Sequence, residues 1–246
     1  MYVSPILANH DGLVHAYSDA GDGNMDLRFG THESVLENRR AFLDHLGLSL
    51  EDCAQQRGME DKIHIVTRDD RGAGMQAVNG SIEANAFITN QKGVGLFLCV
   101  ADCLPAIIYD PTKRVVALLH AARESTKRHL ATTVVDRLKS EFNCEPQNLL
   151  VAFGPAVRAK SYVFDQGIYK LVGKDWEPYL HEVSPSQIQV DYVSYNRDQL
   201  LAAGVPADHI HDPGIDTGSD PNYFSHVQSL KTGRPEARIA AAVVLR

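Results

Sequence analysis

Residues 93–121 read GVGLFLCVADCLPAIIYDPTKRVVALLHA, and this stretch decides the fold. Gly93 to Val100 is a continuous apolar run, the pattern of a strand covered on both faces. Ala106–Tyr109 and Val115–Leu119 are apolar runs on either side of Asp110-Pro111-Thr112-Lys113. In that turn proline presets φ and aspartate bonds its own backbone, so the two runs are expected to pair as a hairpin. Between the first run and the hairpin lies Ala101-Asp102-Cys103-Leu104-Pro105, at the exit of a core strand, where sites of open α/β sheets tend to form. His120 ends the next apolar strand.

Working outward, Leu130, Val134, Leu138 and Phe142 recur every four residues, which predicts an amphipathic helix over Ser125 to Phe142. Ser34 to Glu37 has capping-box spacing and opens a helix with Leu36, Phe42, Leu43 and Leu46, ended by Gly47. Val3–Leu7, Leu13–Tyr17, Ile63–Val66, Leu149–Phe153 and Ile239–Leu245 read as strands, and Asn196–Ala203 as a short helix before Gly204. Arg68 to Ser81, rich in Gly and charge, is expected to be a loop beside a site. Strands and helices interleave with hairpins, so the expectation is one layered α/β (α+β) domain over residues 1–246, with a mixed sheet flanked by helices.

The totals bound the function. A chain of 246 residues, 44% hydrophobic and 22% charged, is stable without disulfides or structural metal. The net charge of −7 argues against a nucleic acid polymer as partner. The one basic stretch, Lys127-Arg128-His129, reads as a solvated helix face. Four cysteines without a CxxC pair make no disulfide framework. Met1 to Pro5 lack a signal-peptide pattern and no run approaches a membrane span, so a cytoplasmic protein with reduced thiols and no membrane partner is expected.

The GxGxxG, GxxxxGK[ST], GxSxG and HExxH motifs are absent. What remains is the constellation Asp102, Cys103 and His120, the candidate catalytic residues. Cys and His at adjacent strand ends can ligate zinc or copper, or act as nucleophile and base with Asp102 to orient or polarise. Equally, Cys103 can be a small buried hydrophobe and His120 a hydrogen-bonded strand-end residue. His209 and His211 read as surface histidines near a turn, and Asp19, Asp22 and Asp26 lack the ligand pattern of a calcium loop.

Taken together, several blocks resemble the laccase-domain family, also called polyphenol oxidase or YfiH-like proteins and described as purine nucleoside enzymes. They are Asn24-Met25-Asp26-Leu27, Val35 to Arg39, Ala84 to Thr89, Val100 to Pro105, Val116 to Ala121, Gly154 to Val157 with Tyr162, Tyr223-Phe224-Ser225, and Thr232-Gly233-Arg234. The resemblance implies a zinc held by His, Cys and His, with a purine nucleoside and phosphate in the cleft. Cys103 and His120 take the second and third ligand positions, and Arg123, Phe224 and Arg234 are carried over as substrate-binding. Val66-Thr67-Arg68 is aligned with the family's Val-His-Gly, so Thr67 replaces a ligand, and zinc is expected to be weak. His64 is a substitute only if the strand bulges or ends, because residues three apart on a strand face opposite ways.

Other departures are Ala121-Ala122-Arg123-Glu124-Ser125 in place of Ala-Gly-Trp-Arg-Gly, Asn85 in place of an aspartate, and His226-Val227-Gln228 where arginines are usual. Three functions stay open. They are a metal-dependent purine nucleoside phosphorylase or deaminase with an altered site, a metal-free cysteine hydrolase or deamidase using Cys103 and His120, and a binding protein without catalysis. Copper-dependent phenol oxidation is least favoured, since no paired His-x-His set exists to build a copper cluster.

Overall fold

The computed structural model describes residues 1–58, 62–165, 167 and 173–246. Two mixed sheets are stacked. The five-stranded sheet runs, in spatial order, β1 (Leu13–Tyr17), β14 (Ile239–Leu245), β6 (Gly95–Val100), β2 (Cys53–Arg57) and β4 (Ile82–Glu83). The six-stranded sheet runs β13 (Ile210–His211), β9 (Leu150–Phe153), β7 (Leu104–Asp110), β8 (Val115–Ala121), β5 (Ala86–Thr89) and β3 (Ile63–Ile65). A small antiparallel sheet of β10 (Val163–Asp165), β12 (Gln187–Val190) and β11 (Leu180–Ser184) lies apart. Pairs β2–β6, β2–β4, β3–β5 and β13–β9 are parallel and the others antiparallel.

The apolar runs do what their pattern requires. Leu96, Leu98, Val100, Ala241 and Val243 of one sheet meet Phe87, Ile107, Leu118 and Ala152 of the other in a shared core. The outer face of the five-stranded sheet is covered by helix α2 (His32–Asp44), through Leu36, Phe42 and Leu43 against Phe97. Against the outer face of the six-stranded sheet pack α4 (Leu130–Phe142) and α5 (Tyr192–Ala202). The expected hairpin is β7–β8, with Asp110 Oδ1 accepting from the backbone N–H of Thr112 and Lys113 at 2.8 and 2.9 Å. Because β6 and β7 belong to different sheets, Ala101-Asp102-Cys103 is the point at which the chain crosses from one sheet to the other.

Several expectations need correction. Val3–Leu7 is not a strand; Pro5 starts the one-turn helix α1 (Pro5–Ala8), as its fixed φ favours. Helix α2 starts earlier than Ser34, with the Thr31 hydroxyl accepting from Ser34 N–H. Ser125 to Phe142 is two helices, α3 (Arg123–Lys127) and α4, broken where His129 takes φ +58°. The apolar stripe begins only at Leu130, so nothing apolar ties the earlier turn to the same axis. No helix among the described residues is long and apolar enough to cross a membrane.

Candidate functional site

Asp102 holds the crossing together. It adopts φ +76°, a left-handed conformation that Asp tolerates better than most residues. Its buried carboxylate accepts from the Thr217 hydroxyl at 2.6 Å through Oδ1. Through Oδ2 it accepts from Val227 N–H at 2.7 Å, at the start of α6 (His226–Thr232). Its carbonyl accepts from Val157 N–H and from the Tyr192 hydroxyl. Both carboxylate oxygens are thus engaged in joining loops and α6 to the crossing, and no hydrogen bond links Asp102 to His120.

Cys103 is half-buried and packs in the core between the sheets. It lines a small cavity of about 100 Å³ with Arg123, Tyr162, Tyr192 and His226. Burial, reinforced by the Asp102 charge, pushes its thiol up to about 11. His120 does not lower it. Cys99 is half-buried too: it lines the neighbouring cavity and donates to Met25 O at 3.2 Å, with its thiol pushed up to about 12 by burial. Only thiolate reacts, and a thiol at about 11 leaves about one in ten thousand ionised at neutral pH. Native protein treated with iodoacetamide should therefore be alkylated slowly at Cys103 at neutral pH, with a rate that climbs tenfold per pH unit up to about 11. Peptide mapping checks this, and labelling at the rate of a free thiol near pH 7 would show that the site activates the cysteine after all.

His120 is on β8, opposite Pro105 of β7. Its N–H donates to Asn85 O and its carbonyl accepts from the Ser125 hydroxyl, so the strand end is pinned on both sides. The imidazole lines a second cavity of about 250 Å³ with Arg28, Arg39, Gln55, Gln56 and Arg57. Burial, together with the charges of Arg28 and Arg238, brings its pKa down to about 4, so at neutral pH the ring is neutral. Its Nδ1 is buried without a hydrogen-bond partner, as are Gln55 Oε1 and both amide atoms of Gln56. No hydrogen bond joins Cys103 to His120, and the two line separate cavities. Near pH 7 they are a thiol and a neutral imidazole, not an ion pair.

The remaining candidates are scattered. Thr67 follows β3 and caps a tight turn, Arg68–Asp70, with its hydroxyl accepting from Asp69 N–H. It lines a surface depression with Asn90 and Gln91, at the end of β5 where Thr89 pairs with Val116. The four residues from Val116 to His120 span roughly 13 Å of strand, so Thr67 does not meet His120. His64 and Thr67 do not face apart, because β3 ends at Ile65: His64 Nε2 lies 3.2 Å and the Thr67 hydroxyl 3.3 Å from the same Asp70 Oδ2. What abuts His120 is Gly58, where an added Cβ would lie 2.2 Å from Nδ1. Gly58, and not Thr67, is therefore the residue that abuts the His120 ring. Zinc needs at least three ligands at about 2.0–2.3 Å. Among the described residues no three His, Cys, Asp or Glu side chains are grouped to hold a metal. The described residues do not fit the implied zinc centre.

Of the substrate-binding expectations, Arg123 lies beside Cys103, with its guanidinium 5.7 Å from the Phe164 ring centre and its Nε 3.4 Å from Glu124. Phe224 and Arg234 instead line a groove of about 690 Å³ beside α6, with Tyr223 and Glu236. The structure does not bring all three together.

The family model for the multi-copper polyphenol oxidoreductase laccase matches residues 16–244. The chain belongs to this laccase family. It is 34% identical over 197 residues to the purine nucleoside phosphorylase YlmD of Geobacillus stearothermophilus, covering 76% of this chain and 71% of that protein. It is 27% identical over 207 residues to the YlmD of Bacillus subtilis, covering 81% and 74%. The crystal structure of YlmD from G. stearothermophilus superposes with a TM-score of 0.89 at 29% identity, covering 99% of this chain and 94% of that one. Gln55, Gln56 and Arg57 on β2 and Gly58 directly after it are not singled out by the sequence. Gln55 and Gln56 are 8% and 1% exposed, and two adjacent buried glutamines have no hydrophobic pattern by which to be found. The single available signal was glycine directly after a polar strand.

Proposed function

We propose that this laccase-family chain binds a purine nucleoside and phosphate in the cavity under His120 and transfers the ribosyl group from base to phosphate. The observation that carries this reading is one cavity lined by Arg28, Arg39, Arg57, Gln55, Gln56 and His120, the last three of which carry buried polar atoms without hydrogen-bond partners. A buried polar group without a partner costs about 1–3 kcal/mol, so a lining built from such residues and arginines suits a polar, anionic ligand. The relatives' name supports nucleoside phosphorolysis as the reaction. In that reaction a phosphate oxygen bonds to C1′ as the glycosidic C–N bond breaks, its electron pair leaving with the base. The arginines favour the anionic nucleophile, and neutral His120 serves as a hydrogen-bond partner rather than a cation. The protonated thiol of Cys103 and its lack of a bond to His120 do not favour the cysteine hydrolase reading.

The test is release of free base from adenosine or inosine, with and without phosphate. Turnover should depend on phosphate and fall at least about 100-fold in folded His120→Ala, the range for removing a group positioned at the reacting centre. Equal turnover by both proteins would remove the enzymatic reading, and nucleoside binding without turnover would leave a binding protein.

A further inference from the structure

We propose that the groove beside α6 is a second binding site, which takes a nucleoside 5′-monophosphate with its base against Tyr223 and Phe224, its ribose at Asp220 and its phosphate on Arg234. The groove, of about 690 Å³, lies in the size range of small-molecule sites. It shares no described lining residue with the cavity under His120 or with the one at Cys103. Loop 24–30 serves both sides, with Asn24 and Gly30 lining the groove and Asp26, Leu27 and Arg28 the cavity under His120.

The chemistry that fits follows from what the groove's own contacts leave unused. Tyr223 and Phe224 are half-buried and pack on the core between the two sheets, so their rings are held in place before a ligand arrives. A held aromatic ring stacks on a planar base without distinguishing which base it is. Much of the polar lining is already committed. The Asn24 amide bonds its own loop, the Ser229 and Thr232 hydroxyls donate to α6 carbonyls, and Glu236 accepts from His226 and Arg238. Two charged groups remain. Asp220 accepts from Asn222 N–H at 2.9 Å through Oδ1, which leaves Oδ2 as an acceptor, the role a carboxylate plays toward ribose hydroxyls. Arg234 is exposed and is the one cation among the described lining residues. Its hydrogen bond to the chain is made by its backbone N–H, to Thr232 Oγ1, so its guanidinium is available for a bidentate phosphate. A neutral nucleoside leaves Arg234 unused and inorganic phosphate leaves the rings unused, whereas a nucleoside monophosphate engages rings, carboxylate and guanidinium together.

The experiment titrates adenosine 5′-monophosphate into the purified full chain by calorimetry, without any turnover, so its outcome is separable from that of the reaction at His120. Arg234→Gln should weaken binding about 10-fold, as expected for loss of a charged hydrogen bond, and Arg234→Lys, which keeps the charge but not the fork, should fall between. Phe224→Leu, which keeps apolar volume but removes the ring, should also weaken it about 10-fold. His120→Ala should bind as the parent does. Melting transitions show that each variant is folded, and because Arg234 is exposed its variants report even where Phe224→Leu loosens the core. Absence of binding to the parent chain, parental affinity in folded Arg234→Gln or Phe224→Leu, or loss of binding in folded His120→Ala would each overturn the proposal.

Discussion

Gly58→Ala is expected to abolish ligand binding under His120 while leaving the two sheets intact. The added Cβ would lie 2.2 Å from His120 Nδ1, 2.7 Å from Cε1 and 3.0 Å from Asn85 Oδ1. Contacts this short require a shift, and the imidazole is the group in the way. His120 cannot retreat along β8, because its backbone is paired to Asn85, Pro105 and Ser125. Its ring must therefore leave its rotamer and tip into the cavity, filling space meant for the ligand. Overpacking of this kind costs about 1–3 kcal/mol of stability, which a two-sheet core withstands. Phosphate affinity and nucleoside turnover should drop together by about 100-fold or more, as expected when reacting groups are misplaced by an ångström. Calorimetry and base release on a protein with a normal circular dichroism spectrum measure this. If Gly58→Ala keeps both near the parent level, the cavity under His120 is not where ligands bind.

Asp102→Ala should produce a large loss of stability, about 3–5 kcal/mol, because a buried hydroxyl and a part-buried N–H lose their charged acceptor. The Thr217 hydroxyl and Val227 N–H both end on this carboxylate, at 2.6 and 2.7 Å. Alanine also tolerates φ +76° less well than aspartate, adding to the cost. Asp102→Asn keeps one carbonyl acceptor and the tolerance for left-handed φ, so it should lose roughly 1–2 kcal/mol. Urea unfolding of the three proteins checks the order. A loss below about 1 kcal/mol for Asp102→Ala would show that the crossing is held by its apolar flanks instead. The same contacts mean that Asp102 acts as a positioning residue for α6 and the 101–103 crossing, so its variants report on folding before they report on chemistry.

Much of the fold was legible because its signals are local in the chain. The run from Gly95 to Val100, the turn at Asp110 and the four-residue spacing from Leu130 to Phe142 depend on neighbours within a few residues, and each led to the element found. Proline chemistry at Pro5 was outweighed by the apolar residues around it, which is why Val3–Leu7 was read as extended. The sequence blocks also placed Asp102, Cys103 and His120 at the ends of apolar strands, and they identified the family.

What surrounds those residues was decided only by the tertiary structure. Gln55, Gln56 and Arg57 reach the cavity from a strand of the other sheet, Gly58 from directly after it, and Arg28 and Arg39 from the segment before and within α2. Hydrophobic periodicity cannot signal a buried glutamine, because its burial is favourable only once a distant wall or a ligand supplies its partners. The split of Cys103 and His120 into two cavities likewise follows from the packing of α6 and Tyr162 on one side and of β2 on the other. The alignment of Thr67 with a ligand histidine relied on position along the chain, whereas Gly58 is the residue for which the folded chain leaves no room beside His120 for a side chain. Sequence determined the frame through local patterns, and long-range packing determined which charged and polar residues line the cavity.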